Sequence, residues 1–427
     1  MRKRDVDRLS GTLKPACSSK DPPVPFAAAS SLRSPPAAAP ALRSKPAETR
    51  AFAFVATFDN VEAARDAWAE IAPFAAASAY QDFDFVRLWA ETVGVAHGVT
   101  PLIVVARDAA SEVVALLPLG ARTCGPLRFA AFLAAKDSSF NLGLFRRRDA
   151  WPPRDVAALL TAAARAARPR VDAFLFTNQP REWQDAPNPL LGLRRQPSSC
   201  LAYKSALRED FTLWLNAHAS KEAQKKLRKR EKRLEAMGPL VHRRVADSAE
   251  AGRVLAALFA QKSERMRELR LINNLEGPAA RDFIVRLAEC GRAAGSPKLE
   301  LHGLFVGERV AATFGALGHG GRLSGLFVSN DNDPEIARNS PGGLIMQAVV
   351  RDAIARGFKT LDLGVGGDLY KRKICETEEP LFDGAFGVTL LGRAAAFAFT
   401  LKQRAKRRIK RSPRLLALFR RLRAAAR

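Results

Sequence analysis

The sequence predicts a mixed α/β (α+β) fold of two similar units, each a mixed, mainly antiparallel sheet flanked by helices. Three observations carry this expectation. Short β-rich runs separated by turn residues come in threes, at 102–133 and again at 299–328. Each triplet is followed by a helical pattern and then one further strand. At 427 residues the chain exceeds what one ordinary core organises, so two domains are expected.

Taken in order, 52–57 reads as a strand, and 60–70 and 82–92 as helices. Strands follow at 102–107, 113–119 and 127–133, then an Ala-rich helix at 155–167 and a strand at 171–176. The second half repeats the order. A long charged helix is expected over 211–237, a strand at 240–245, and amphipathic helices at 249–261 and 279–290. Three strands come next, at 299–306, 310–317 and 322–328, joined by Gly307-Glu308 and Gly318-His319-Gly320-Gly321. A helix over 341–356 and a strand over 359–363 close the unit.

The expected organisation has four parts: a disordered leader over 1–48, a first domain over 49–200, a second over 201–391, and a basic amphipathic tail over 392–427. The leader is dominated by Pro, Ala, Ser and Arg, a composition that cannot offset the entropy of ordering. No continuous apolar stretch follows its basic start, which argues against a secretory signal. Five scattered cysteines form no CxxC pair, and the histidines have no partners at ligand spacing. No metal site is expected, and a reducing cytoplasm fits. The formal charge of +26 points to polyanionic neighbours: nucleic acid, anionic lipid or a phosphorylated substrate.

The most informative stretch is 327–345, where a strand and a polar loop lead into Asn339-Ser340-Pro341-Gly342-Gly343. Ser340 is a good N-cap and Pro341 suits the first helical position. Gly342 and Gly343 remove side chains where a ligand would approach the backbone. Free N–H groups and the positive end of the helix dipole would then face one point, an anion site. The alternative is an ordinary capped helix whose glycines only permit close packing. Met346, Val349, Val350, Ala353 and Ile354 give that helix one packed face.

These residues, with Leu361-Asp362-Leu363-Gly364-Val365-Gly366-Gly367-Asp368-Leu369-Tyr370-Lys371, resemble GNAT-type acyltransferases. Within them the chain is similar to the CelD-type (cellulose biosynthesis) branch, itself related to Fem-type aminoacyltransferases. Ser220-Lys221 and Lys225-Lys226-Leu227-Arg228 resemble the basic helix at the start of the family's catalytic half, and Leu116-Leu117-Pro118-Leu119 a strand end of its N-terminal half. The resemblance implies tandem GNAT-like domains, with a single cofactor loop in the second. The usual Arg/Gln-x-x-Gly-x-Gly/Ala signature is not met, because Pro341 stands where a glycine would.

The resemblance further implies acetyl-CoA, or another acyl-CoA, as cosubstrate. Val328, Asn339, Ser340, Pro341, Gly342, Gly343 and Leu344 would bind it, with backbone N–H groups of 322–328 as oxyanion donors. Asp362 is the first candidate for acid/base or substrate-orienting work; equally, its carboxylate fixes the glycine turn after it. Tyr370 would protonate the departing thiolate, and Lys371 would hold a phosphate or carboxylate of the acceptor. The expected reaction is acylation, foremost N-acetylation, of a sugar, glycan or polysaccharide precursor that is acidic or phosphorylated. A Fem-like aminoacyltransferase drawing on aminoacyl-tRNA is the first alternative, which the positive charge favours. A non-catalytic basic nucleic-acid-binding protein is the second. Its aromatics should interleave with the basic residues, and 401–427 has only Phe419, so no specific nucleic acid is expected. The tail alternates basic runs with Leu415, Leu416, Leu418 and Phe419, and Pro413 divides it. It would give weak association with a membrane surface, placing a cytoplasmic protein at the inner membrane face.

Overall fold

The computed structural model describes residues 50–366 and 369–412. Residues 1–49, which include the leader, Gly367-Asp368 and the tail from Pro413 onward lie outside the described residues.

The first half opens with β1 (Phe54–Phe58), α1 (Arg65–Ile71) and α2 (Phe83–Trp89). A meander follows: β2 (Thr100–Arg107), β3 (Val113–Cys124) and β4 (Leu127–Phe132). Then come β5 (Leu144–Phe145), α3 (Pro153–Ala166), β6 (Ala173–Pro180), the small hairpin of β7 (Glu182–Trp183) and β8 (Ala186–Pro187), and β9 (Arg194–Ala206). The second half runs α4 (Phe211–His218), α5 (Lys221–Glu235), β10 (Leu240–Arg244), α6 (Ser248–Glu268) and α7 (Pro278–Glu289). Its meander is β11 (Glu300–Val306), β12 (Arg309–His319) and β13 (Arg322–Asn330). The chain ends in α8 (Pro334–Ala337), α9 (Pro341–Ala355), β14 (Thr360–Val365), α10 (Leu369–Ile374), β15 (Thr377–Gly387) and α11 (Leu390–Arg411).

The expected mainly antiparallel sheet with flanking helices is present, and it is continuous. Thirteen strands run in the order β1-β2-β3-β4-β6-β15-β9-β14-β13-β12-β11-β10, with β5 on β3. Among the described residues only two pairs in it are parallel, β4 with β6 and β13 with β14, one in each half. At the centre the halves interleave: β15 lies between β6 and β9, and β9 also pairs with β14. Position 200/201 therefore falls inside a strand, β9.

On one face, α1, α2, α6 and α7 share a core that runs through both halves, with Trp68, Phe85, Leu258, Phe283 and Leu287 buried together. Phe85 meets Phe283 edge-on at 5.3 Å, and Lys298 Nζ binds Asp82 Oδ2 at 2.8 Å. On the other face α3 packs in the first half and α9 in the second. The face of α9 read from the sequence is the packed one: Met346, Val349, Val350 and Ala353 are buried. Gly320 and Gly321 adopt φ of +55° and +74°, the left-handed pair that a tight turn between β12 and β13 requires.

One expectation is corrected here. The helix over 211–237 is two helices, α4 and α5, because Ala219 is extended and Ser220 starts a new one. Ser220 Oγ accepts the N–H of Ala223 at 3.2 Å, so the break is a capped N-terminus.

Candidate active site

The site starts from the way β13 and β14 part. Their parallel ladder has three rungs, Arg322 with Thr360, Leu323 with Leu361 and Ser324 with Asp362, and then stops. Beyond Ser324 the two strands diverge. On its other side β13 stays on β12 but shifts register: Gly315 faces Phe327 and Ala316 faces Gly325, so Leu326 is an extra residue. Such a bulge bends the strand and frees backbone groups from the ladder. The divergent edge of β13 thus offers N–H groups around Leu326 to the gap.

At the far end of β13 lies the loop to α9. Arg309 holds it with Nε on Asp331 Oδ2 at 2.6 Å and Nη1 on Asp333 Oδ2 at 3.2 Å. Pro341 takes the first helical position, as its fixed φ predicts. Ser340 differs from expectation. It is left-handed, with φ 54° and ψ 54°, and its side chain caps nothing. A side-chain cap needs an extended N-cap residue, which this conformation precludes. A non-glycine residue there costs about 1 kcal/mol, a strain tolerated mostly where function holds it.

The convergence of free N–H groups is also narrower than expected. The N–H groups of Gly343 and Leu344 both reach the carbonyl of Ser340, at 2.9 and 3.3 Å. The Gly342 N–H has no partner among the described residues. The Leu344 side chain is buried in the core. Asn339 is buried too; its Nδ2 donates to Glu335 O at 2.8 Å, while its Oδ1 has no partner among the described residues. The two glycines leave the backbone in front of the loop uncrowded. A Cβ at Gly342 would meet only Asn330 Oδ1, at 3.4 Å, and one at Gly343 only Leu227 and Ser340, each at 3.9 Å. Leu227 belongs to α5, so the basic helix passes over this N-terminus and adds positive potential. Val328, half-buried, lies on the β13 stretch between the gap and the loop.

Asp362 sits at the last rung, where the gap begins, and is fully buried. Its Oδ2 accepts from Arg322 Nε at 2.7 Å and Ser324 Oγ at 2.6 Å, and its Oδ1 from the Gly364 N–H at 3.0 Å. Burial pushes this carboxyl up, while Arg322 and the Ser324 hydroxyl oppose the shift. Burial also works against the Arg322 charge, but Asp362 and Glu379 more than offset it and hold Arg322 above its ordinary value. Arg322 is further enclosed by aromatic rings, 4.3 Å from the Trp183 centroid and 4.8 Å from that of Phe140. With these partners Asp362 acts as a clamp between strands and on the glycine turn.

Lys371 is buried as well. Its Nζ donates to the carbonyls of Leu363 and Val365, both at 2.7 Å, tying α10 to the end of β14. Tyr370, by contrast, is 37% exposed. The structure thus brings Asp362 and Lys371 to β14 and the glycine turn at its end, each bonded to main-chain or strand partners, with Tyr370 more exposed beside them.

Sequence reasoning missed what the first half supplies. Ser139 Oγ accepts the Val365 N–H at 3.2 Å, and a Cβ on Gly364 would lie 2.1 Å from it. A serine from the first half therefore fills one side of the gap. Tyr80 is buried beside it, its hydroxyl raised by burial and the Asp362 charge. Nothing local in the sequence flags Ser139, Tyr80 or Arg322, since each matters only through long-range packing. Two other features lie elsewhere. A pocket of about 240 Å³ lined by Lys204, Arg322, Lys359 and Glu379 opens at the N-terminal ends of β13 and β14, away from the Ser340 loop. Ser205 and Glu376 both face Nε2 of His218, at 3.3 and 2.9 Å, so they form no nucleophile relay through the ring. Among the described residues no group of His, Cys, Asp and Glu is placed to hold a metal ion.

Residues 221–372 match the family model described as an acetyltransferase (GNAT) domain. That stretch runs from α5 to α10 and contains the diverging strands, the Ser340 loop, Asp362, Tyr370 and Lys371, so it is the part of the chain that is similar to a GNAT-type acetyltransferase domain. No curated protein matches the chain. Among solved structures it is similar to FemX, 11% identical, with a TM-score of 0.55 over 78% of this chain and 98% of that one. That likeness extends over both halves and is one of fold. A tandem GNAT protein from the clavulanic acid biosynthesis pathway is 12% identical with a TM-score of 0.41, covering 79% of this chain and 98% of that one. L-PGS from Bacillus licheniformis is 14% identical with a TM-score of 0.46, covering 80% of this chain and 96% of that one.

Proposed function

We propose that the chain is an acyl-CoA-dependent acyltransferase of the CelD-type branch, and foremost an N-acetyltransferase acting on a sugar, glycan or polysaccharide precursor. The observation that carries the reading is the gap between β13 and β14, which opens toward the uncrowded N-terminus of α9. A thioester arm fits the gap, and its pyrophosphate the space before Gly342, facing the free N–H, the dipole of α9 and the cations of α5.

In this reading the acceptor amine attacks the thioester carbonyl. A C–N bond forms, the C–S bond breaks, the amine loses a proton and the departing thiolate gains one. N–H groups of β13 near Leu326 and Val328 stabilise the oxyanion. Tyr370 supplies the thiolate proton. Asp362 and Lys371 act as positioning residues that hold β14 and the glycine turn at its end. The basic surface of α5 favours an acidic or phosphorylated acceptor.

The proposed organisation is a leader over 1–48, an N-terminal half over 49–200 without a cofactor loop, a catalytic half over 201–391 and a basic tail over 392–427. The proposed location is the cytoplasm, at the inner face of the membrane. A second reading is aminoacyl transfer from a charged tRNA, which the cationic α5 beside the site favours.

Titration calorimetry with acetyl-CoA tests the first reading, beside Gly342→Trp. A Cβ at 342 would meet only Asn330 Oδ1, at 3.4 Å, so the larger side chain crowds the anion site rather than the core, and the melting temperature of the variant checks that it folds. Saturable binding by the wild type, abolished in the variant, is expected. A folded wild type that takes no acetyl-CoA overturns it as donor, and retained binding in Gly342→Trp overturns the loop as its site.

A further inference from the structure

The last described helix, α11, is amphipathic in an inverted sense. Its side toward the sheet carries Gly392, Ala396, Thr400 and Gln403, all buried. Its side toward solvent carries Leu390, Phe397 and Leu401, which are 83%, 48% and 48% exposed. Ala394, Ala398 and Ala405 lie between them on the same exposed stripe.

The orientation is fixed by the residues that start the helix. Thr389 Oγ1 donates to Asp172 Oδ1 at 2.8 Å and accepts the Gly392 N–H at 3.0 Å. Gly392 presses against the backbone of Asp172, where a Cβ would lie 1.8 Å from the carbonyl oxygen. Only glycine allows that approach, so position 392 must face the sheet and the 390/397/401 stripe must face outward. Turning that stripe onto the protein would break the close contact of Gly392 with Asp172. The apolar side chains are therefore presented to something other than this fold.

Charge narrows what that is. α11 carries Arg393, Lys402, Arg404, Lys406, Arg407, Arg408, Lys410 and Arg411, and no acid. Arg194 adds a further cation, 5.5 Å from the Phe397 ring. A second copy of α11 would set cations against cations. The segment beyond 412 contributes arginines and no acid, so it repels the helix in the same way. Nucleic acid would satisfy the cations but leave the leucines wet, with one aromatic for stacking. An anionic bilayer satisfies both, with leucine and phenylalanine in the acyl boundary and the cations among the headgroups. None of the described helices is long and apolar enough to cross a membrane, so α11 would lie on the surface.

We infer that the exposed face of α11 docks the protein on an anionic lipid surface through Leu390, Phe397 and Leu401. This makes specific the membrane association assigned to the basic tail, and it moves the apolar contact from 415–419 to the rigid helix before it. It is independent of the acyl-transfer chemistry.

Co-sedimentation of the full chain tests it, with vesicles of phosphatidylcholine mixed with phosphatidylglycerol against phosphatidylcholine alone. The wild type should bind the anionic vesicles, less so at high salt. Phe397→Asp/Leu401→Asp should bind roughly tenfold or more weakly. Both side chains face solvent, so its melting temperature should be unchanged; if it falls, Phe397→Ser/Leu401→Ser gives the same readout. Equal binding by wild type and variant overturns the inference and places the contact elsewhere in the chain, and no binding by the wild type overturns it outright. A wild-type dimer that the variant dissolves also overturns it, assigning the stripe to a second copy. No turnover is needed, so failure here leaves the acetyl-CoA titration untouched.

Discussion

Arg322 Nε lies 2.7 Å from Asp362 Oδ2, and this ion pair spans the whole parallel ladder of β13 and β14, from its first rung to its last. The pair sets where the strands stop pairing, and hence where the gap begins. Removing one member leaves the other charge buried, which is costlier than losing the attraction alone. Glu379 remains on Arg322 and softens the effect. Asp362→Ala should therefore destabilise the protein by about 3 kcal/mol in urea unfolding. Asp362→Asn, which keeps acceptors for Ser324 and Gly364, should cost less. Equal and small effects would show that the pair is not the clamp described.

Stability should fall in mild acid because of a histidine pair. His242 Nε2 lies 3.2 Å from His302 Nδ1, and burial followed by the His302 charge pushes His242 down to about 4. Its unfolded value is about 6.5, so between these limits the unfolded chain binds more protons. The contribution is present above about pH 6.5 and is lost as pH falls through about 4, amounting to about 3 kcal/mol. Glu300 is held at about 2 by His302 and Arg356 against its own burial, so its stabilisation disappears at lower pH still. Urea midpoints measured across pH should show the first loss in wild type and a flatter profile in His242→Gln.

The sequence reveals α9 and the meander β11–β13 because each follows a single period. Every third or fourth residue of α9 is apolar, and glycine turns at Gly307 and at Gly320-Gly321 bound the strands. It does not reveal β9 and β15, the two strands that join the halves. Arg194–Ala206 mixes cations, serines and Pro197 without alternation, and Thr377–Gly387 begins with acids and Pro380 and bends at Asp383-Gly384. Both strands shift register where they pair, so their pattern is set by neighbours far away in the chain. The site was legible to the same degree. Pro341 and the two glycines act locally and could be read. The left-handed Ser340, the burial of Lys371 and the arrival of Ser139 are tertiary facts with no local signature.

The contact between Ser139 and Gly364 couples the halves at the gap. Gly364 has φ of +65°, and a Cβ there would sit 2.1 Å from Ser139 Oγ. Gly364→Ala should thus cost about 2 kcal/mol or more, from the backbone conformation and the clash together. Ser139→Gly in the same chain removes the clash but not the strain, so the double variant should recover about half of the loss. Strict additivity in thermal unfolding would mean that the two residues do not meet.

Tyr370 and Lys371 are adjacent in sequence but should separate cleanly in experiment. Lys371 spends its ammonium on two carbonyls of β14, so Lys371→Met leaves them with fewer donors and should cost about 1–3 kcal/mol of stability. Tyr370 is 37% exposed, and Tyr370→Phe removes only a hydroxyl, so its cost in unfolding should be smaller than that of Lys371→Met. If its phenol protonates the thiolate, kcat should fall about a hundredfold with KM for the donor little altered. Once an acceptor is in hand, unfolding and steady-state kinetics on the same two variants check both halves of the claim. A Tyr370→Phe enzyme with full kcat would remove the proposed proton donor and leave the reaction to solvent or to another group facing the gap.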